Sequence, residues 1–130
     1  MDTIIGNYRQ FLGGAYDYSY DIEDTARYFI LFDQLVAHWR ETLPSDRFTE
    51  VIYEDLVANP EPESRRIIAF CDLPWNDACL APHENAAPIA TLSSAQVREP
   101  INAKSIGRWR RYGPGLDPAR QILMKAGLIS

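Results

Sequence analysis

The chain has 130 residues and a formal charge of −5, with 46% hydrophobic and 24% charged residues. That length predicts one domain with a real core, the composition is ordinary for a globular chain, and a pI near 4.9 argues against general binding to nucleic acid or membrane surfaces. The two cysteines, Cys71 and Cys79, form no CxxC pair, so reduced thiols are expected rather than a disulfide scaffold.

No apolar run approaches the roughly 20 residues of a membrane span. The first residues, MDTIIGNYRQ, lack the basic and apolar regions of a signal peptide, so the cytoplasm is the default expectation. Met1 to Leu12 reads as a helix, with Asp2 or Thr3 as cap and Ile4, Ile5, Tyr8, Phe11 and Leu12 at helical spacing. Gly13-Gly14 ends it. A tyrosine-rich connector, Ala15 to Tyr20, leads to a long helix from about Asp21 to Leu43. Tyr28, Phe32, Leu35 and Trp39 form one apolar row on that helix, and Ile22, Ala26, Phe29 and Val36 a second beside it. Two adjacent rows predict packing against a sheet or several helices. Asp21, Glu23 and Asp24 suit the start of the helix dipole, and Pro44 stops the helix.

Arg47 to Tyr53 alternates Phe48, Val51 and Tyr53 imperfectly after the turn-like Pro44-Ser45-Asp46 and reads as a short strand. Glu54 to Val57 follows as a helical turn. Asn59-Pro60 then opens a helix whose buried side is expected to be Ile67, Ile68, Phe70, Cys71 and Leu73. Pro74-Trp75 breaks it. Asn76 caps a short helix to Leu80, and Ala81 to Pro88 reads as irregular. Pro100 rules out one continuous helix after Thr91, so extended or turn structure is expected there. A helical turn from about Ser105 to Tyr112, a break at Gly113-Pro114-Gly115 and a last helix from Asp117 to Ala126 complete the chain. A lone strand cannot satisfy its own backbone. With the abrupt helical start, this points to a fragment of a larger α/β unit.

One stretch carries most of the chemistry. Gln96 to Tyr112 holds Arg98, Lys104, Arg108, Arg110 and Arg111 against only Glu99, a local +4 that leaves −9 for the remainder. Ser93, Ser94, Ser105, Asn102, Gly107 and Trp109 lie in or beside it. Arginine forks, hydroxyls and a close-approaching glycine are the parts that hold a phosphate, and an aromatic plane suits a flat base. A solvated charged face and a single-stranded nucleic-acid contact are the alternatives. His38 and His83 have no second ligand at metal spacing, so no metal is expected. Trp75 and Trp109 read as packing residues.

Three stretches in order carry a family resemblance: Val51 to Pro60 (VIYEDLVANP), Ile68 to Trp75 (IAFCDLPW), and Ser93 to Asn102 (SSAQVREPIN) followed by Gly107-Arg108-Trp109. Together they resemble the C-terminal part of a sulfotransferase, near the bacterial enzymes that follow tetratricopeptide repeats and the tyrosylprotein sulfotransferases. The resemblance implies an α/β fold like that of the P-loop kinases. Within this chain it would be a single partial domain over residues 1–130, mostly helical, with one short strand that joins a parallel sheet formed upstream. It also implies transfer of a sulfuryl group from 3′-phosphoadenylyl sulfate (PAPS) to a hydroxyl or amine acceptor.

By the same resemblance, Ser93, Ser94, Gln96, Val97, Arg98 and Asn102 belong to a nucleotide-holding loop. Tyr53 reaches the nucleotide site, and Arg108 stands where tyrosylprotein sulfotransferases have a contacting lysine. Arginine there replaces a point charge by a fork. The family's glycine-rich 5′-phosphosulfate loop and its acidic base have no counterpart here. Gly6 falls where a family serine contacts the nucleotide, and Arg9 is offset by one from a family arginine. The chain is therefore expected to lack a catalytic residue and to be inactive alone, its partners being the nucleotide, an unidentified acceptor, and an upstream sulfotransferase half or tetratricopeptide repeats. The alternative function is a non-catalytic interaction module that uses the basic 96–112 segment.

Overall fold

The longest helix begins where the sequence predicts, and Asp21 proves to be its cap. Asp21 accepts hydrogen bonds from Glu23 N at 2.8 Å and Asp24 N at 3.0 Å, and α2 then runs Ile22–Thr42. An acid at this position satisfies amides that have no partner inside the helix. Glu23 and Asp24 pair in turn with Arg27, four and three residues on, at 2.6 and 2.7 Å. Leu43, just before Pro44, is the C-cap.

The computed structural model describes residues 1–9, 16–85, 87 and 98–130. These fall into two compact units, Met1–Leu43 with Ser105–Ser130, and Pro44–Lys104.

In the first unit, α1 (Asp2–Tyr8) and α5 (Asp117–Lys125) pack on α2. Ile4, Ala26, Ala119 and Leu123 form the buried centre, and Met1, Ile22, Phe29, Ile30, Ile122, Leu128 and Ile129 close around it. The two alanines let helix backbones approach closely. Burial of a side chain such as Leu123 is worth about 1.5–3 kcal/mol. Helix α1 is shorter than its periodicity predicts: Arg9 is already its C-cap, and Phe11, Leu12, Gly13 and Gly14 lie outside the described residues. The two rows of α2 separate. Ala26 and Phe29 face the core, whereas Tyr28, Phe32, Leu35 and Trp39 stay exposed. A 3-10 stretch, Arg108–Leu116, brings the chain to α5. It is interrupted at Gly113, with φ 51° and ψ −135°, where the sequence predicts a break.

The second unit departs from expectation. Arg47 to Tyr53 is not a strand; among the described residues there is no β-ladder. Ile52 has extended angles, φ −82° and ψ 118°, so the local preference is expressed. A ladder also needs a neighbouring strand, and the described residues supply none. Tyr53 begins α3 (Tyr53–Ala58), and α4 (Pro60–Phe70) follows with proline in its first turn. Arg66 of α4 ties the extended segment down. Its Nη1 donates to Thr49 Oγ1 and its Nη2 to Glu50 O, each at 2.9 Å.

The expected buried side of α4 is a second correction. Ile67, Ile68 and Phe70 are half-buried, while Cys71 and Leu73 are exposed. No described residue of this unit is fully buried. Asp72 takes the left-handed conformation, φ 54°, at the end of α4, and Leu73 N donates back to Ile68 O at 3.1 Å. The Arg65 guanidinium lies 4.1 Å from the Trp75 ring centre, and Trp75 Nε1 donates to Asp77 at 2.7 Å. Asn76 caps the short helix Asp77–Leu80 as predicted, accepting from Ala78 N at 2.9 Å. No described helix is long and apolar enough to cross a membrane.

Candidate nucleotide site

In the second unit, Tyr53 and Asn102 meet across 49 positions of sequence. Tyr53 Oη donates to Asn102 O at 3.2 Å. The Asn102 side chain is spent on its own turn: Nδ2 donates to Pro100 O at 2.8 Å, and Oδ1 accepts from Lys104 N at 3.1 Å. Such a side-chain turn fixes loop shape locally. Lys104 Nζ lies 2.7 Å from Glu99 Oε2. The hydrogen bond and charge of Lys104 hold the Glu99 carboxyl below the usual carboxylate range. Lys104 is thus already neutralised. Arg98 is not: its Nη2 donates to Ala87 O at 2.6 Å, and it forms no ion pair among the described residues. Ser93, Ser94, Gln96 and Val97 lie outside the described residues.

Arg108 belongs to the first unit, at the start of the 3-10 stretch. Gly107 before it has φ +70°, a conformation open to glycine, and a Cβ there would run into the Arg110 guanidinium. Asp2 holds the backbone on both sides of Arg108. Its Oδ2 accepts from Gly107 N at 2.7 Å and its Oδ1 from Trp109 N at 2.9 Å. The Arg108 side chain is half-buried and has no hydrogen bond or ion pair among the described residues. Around it, Arg110 and Arg120 lie 5.1 and 5.8 Å from the Trp109 ring centre, and Arg9 lies 5.9 Å from that of Tyr112. Of these four arginines, only Arg120 forms an ion pair among the described residues, with Asp117 at 3.7 Å.

Tyr53, Arg98 and Asn102 therefore share one unit and Arg108 lies in the other. Sequence reasoning reads Asp2 only as a helix cap. Met1 is the N-cap of α1, and Asp2 points its carboxylate at amides more than 100 positions away. An acid in a first turn looks the same in sequence whichever amides it serves. Among the described residues no three His, Cys, Asp or Glu side chains gather as a metal site.

The pattern described as the sulfotransferase family matches residues 1–77. An uncharacterized protein of Aquifex aeolicus (strain VF5) is 30% identical over 128 residues, covering 96% of this chain and 17% of its own length. The protein-tyrosine sulfotransferase of Drosophila melanogaster is 38% identical over 92 residues, covering 65% of this chain and 18% of its own. Protein-tyrosine sulfotransferase 1 of Danio rerio is 30% identical over 93 residues, 66% of this chain and 26% of its own. No solved structure matches the chain. The chain spans only about a fifth of the length of these relatives. With more than half of its residues inside the family pattern, the chain belongs to the sulfotransferase family.

Proposed function

We propose that this chain forms the C-terminal portion of a PAPS-dependent sulfotransferase domain and supplies part of its nucleotide site. The observation that carries the reading is Arg108, a half-buried guanidinium with no counter-ion among the described residues. A cation held in that state favours an anionic ligand. PAPS would supply the sulfuryl group. Arg108 would bind an anionic oxygen of the nucleotide, and Arg98, with donors beyond the one given to Ala87 O, would add a second charge-assisted contact. Each such bond contributes about 1.5–3 kcal/mol. Ser93, Ser94, Gln96 and Val97 would complete the loop. Tyr53 and Asn102 have the geometry of loop-holding residues, because each spends its polar groups on the turn at 99–104.

In-line transfer also needs donors on the moving sulfuryl group and a base beside the acceptor hydroxyl or amine. No residue of this chain is assigned either role, so the rest of the domain would provide them. The extended segment ending at Ile52 would pair with a strand of that remainder. The purified chain should transfer no sulfate from PAPS, and turnover by it would refute this division of labour.

The deciding experiment is calorimetric titration with adenosine 3′,5′-bisphosphate. Binding that is lost in Arg108→Ala supports the reading. Binding that survives the substitution removes Arg108 from the site.

A further inference from the structure

We infer that Asp2 is the positioning residue of the nucleotide site, acting through the backbone on both sides of Arg108. The inference rests on the reading of Arg108 as a nucleotide contact and adds the group that aims it. A carboxylate has two oxygens, and here each takes one amide: Oδ2 from Gly107 at 2.7 Å and Oδ1 from Trp109 at 2.9 Å. The residue between those amides is Arg108. Its Cα is thus fixed relative to α1 by two charge-assisted bonds that are partly shielded from water.

The local chain needs such a clamp. Gly107 sits at φ +70°, and the segment that follows is a 3-10 stretch without a side-chain cap of its own. Such stretches have poorer hydrogen-bond geometry than α-helices. Without the carboxylate, only the long turn bonds from Arg108 N to Ser105 O at 3.4 Å and from Arg110 N to Gly107 O at 3.2 Å would hold Gly107, and the Arg108 fork would be aimed less firmly. A long arginine side chain binds an oxyanion well only when little freedom remains to be lost on binding.

Electrostatics alone predicts the opposite effect. Asp2 places a negative charge near a cation expected to meet an anion. Removing that charge should tighten nucleotide binding if Asp2 acts only through the field. If Asp2 acts by positioning, removing it should weaken binding. The sign of the change separates the two.

The test uses the 130-residue chain with Asp2→Asn and Asp2→Ala, each alone and combined with Arg108→Ala. Amide hydrogen exchange by NMR reads the clamp directly. Asp2→Ala should speed exchange at both Gly107 and Trp109 by about tenfold or more, and Asp2→Asn, with one acceptor oxygen left, mainly at one of them. The amides of Ala26 and Leu123 in the core should be unchanged. Unchanged exchange at 107 and 109 overturns the clamp, and a rise throughout the chain assigns Asp2 to general stability instead. Titration with adenosine 3′,5′-bisphosphate reads the consequence. Asp2→Ala should weaken binding about tenfold, and most of that loss should vanish in the Arg108→Ala background. Tighter binding, or the same loss without Arg108, overturns the positioning role. A wild-type chain that binds no nucleotide removes the Arg108 reading and the role built on it, while the exchange result still decides the clamp by itself.

Discussion

The two units stabilise themselves differently. Every fully buried residue described, from Ile4 and Ile5 through Ser19, Thr25 and Ala26 to Leu116, Ala119 and Leu123, belongs to Met1–Leu43 with Ser105–Ser130. Pro44–Lys104 has none among its described residues. It holds its shape by exposed contacts instead: Arg65 with Glu61, Arg66 with Glu63, Thr49 and Glu50, and Asn102 within its own turn. Apolar burial is the dominant favourable term in folding. Exposed ion pairs are typically worth about 0–1 kcal/mol each. The first unit thus has a core of its own, whereas the described residues of the second form none.

Core truncation should expose this contrast most strongly. Leu123→Ala, at a site 1% exposed, should cost about 2–5 kcal/mol in a denaturant titration. Leu73→Ala, at a site 57% exposed, should cost well under about 1 kcal/mol by the same measurement. Equal losses would abolish the distinction between the units. Arg66→Ala should come next, with a loss of about 1 kcal/mol seen as earlier opening of residues 47–70 in hydrogen exchange. No change there would mean that its bonds to Thr49 and Glu50 do not hold the extended segment.

Asp72→Gly should stabilise the second unit by about 0.5–1 kcal/mol, because a left-handed position is strained for any residue with a Cβ. A lower thermal midpoint would contradict that. The smallest effect should come from Glu99. Lys104 depresses its folded pKa, so the pair stabilises the fold above the unfolded carboxylate value. That contribution is lost as the pH falls through the folded value. Wild type and Glu99→Gln should therefore converge in stability as the pH falls below the unfolded carboxylate value of about 4.3. Because the pair is exposed, added salt should shrink the difference.

Local chemistry was legible where it is self-contained. Asp21 and Pro44 bound α2, Asn76 caps its short helix, and Gly113 breaks the chain, each as the sequence predicts. The extended angles at Ile52 were legible too, but a ladder depends on a neighbour that local alternation cannot specify. The same limit hid the fate of α4. Its apolar positions are spaced for burial, yet spacing says nothing about what lies opposite, and they remain half-covered. In the candidate site, residue types point to the basic 96–112 stretch and the family resemblance to Arg108, Tyr53 and Asn102, but neither foretells that Tyr53 bonds to the Asn102 carbonyl. The carboxylate of Asp2 went unread because its partners are backbone amides, which every residue but proline carries.

The placement of the three tryptophans gives each region a separate optical signal. Trp75 is the one indole in Pro44–Lys104, with the Arg65 guanidinium 4.1 Å from its ring centre. Its fluorescence should change as soon as that cation leaves, before the helical core around Leu123 is disturbed. Trp109 follows Arg108 directly and lies near two other arginines, so its emission should respond to an arriving anion. With Trp39 replaced by phenylalanine, the chain carries one built-in reporter for each of its two units.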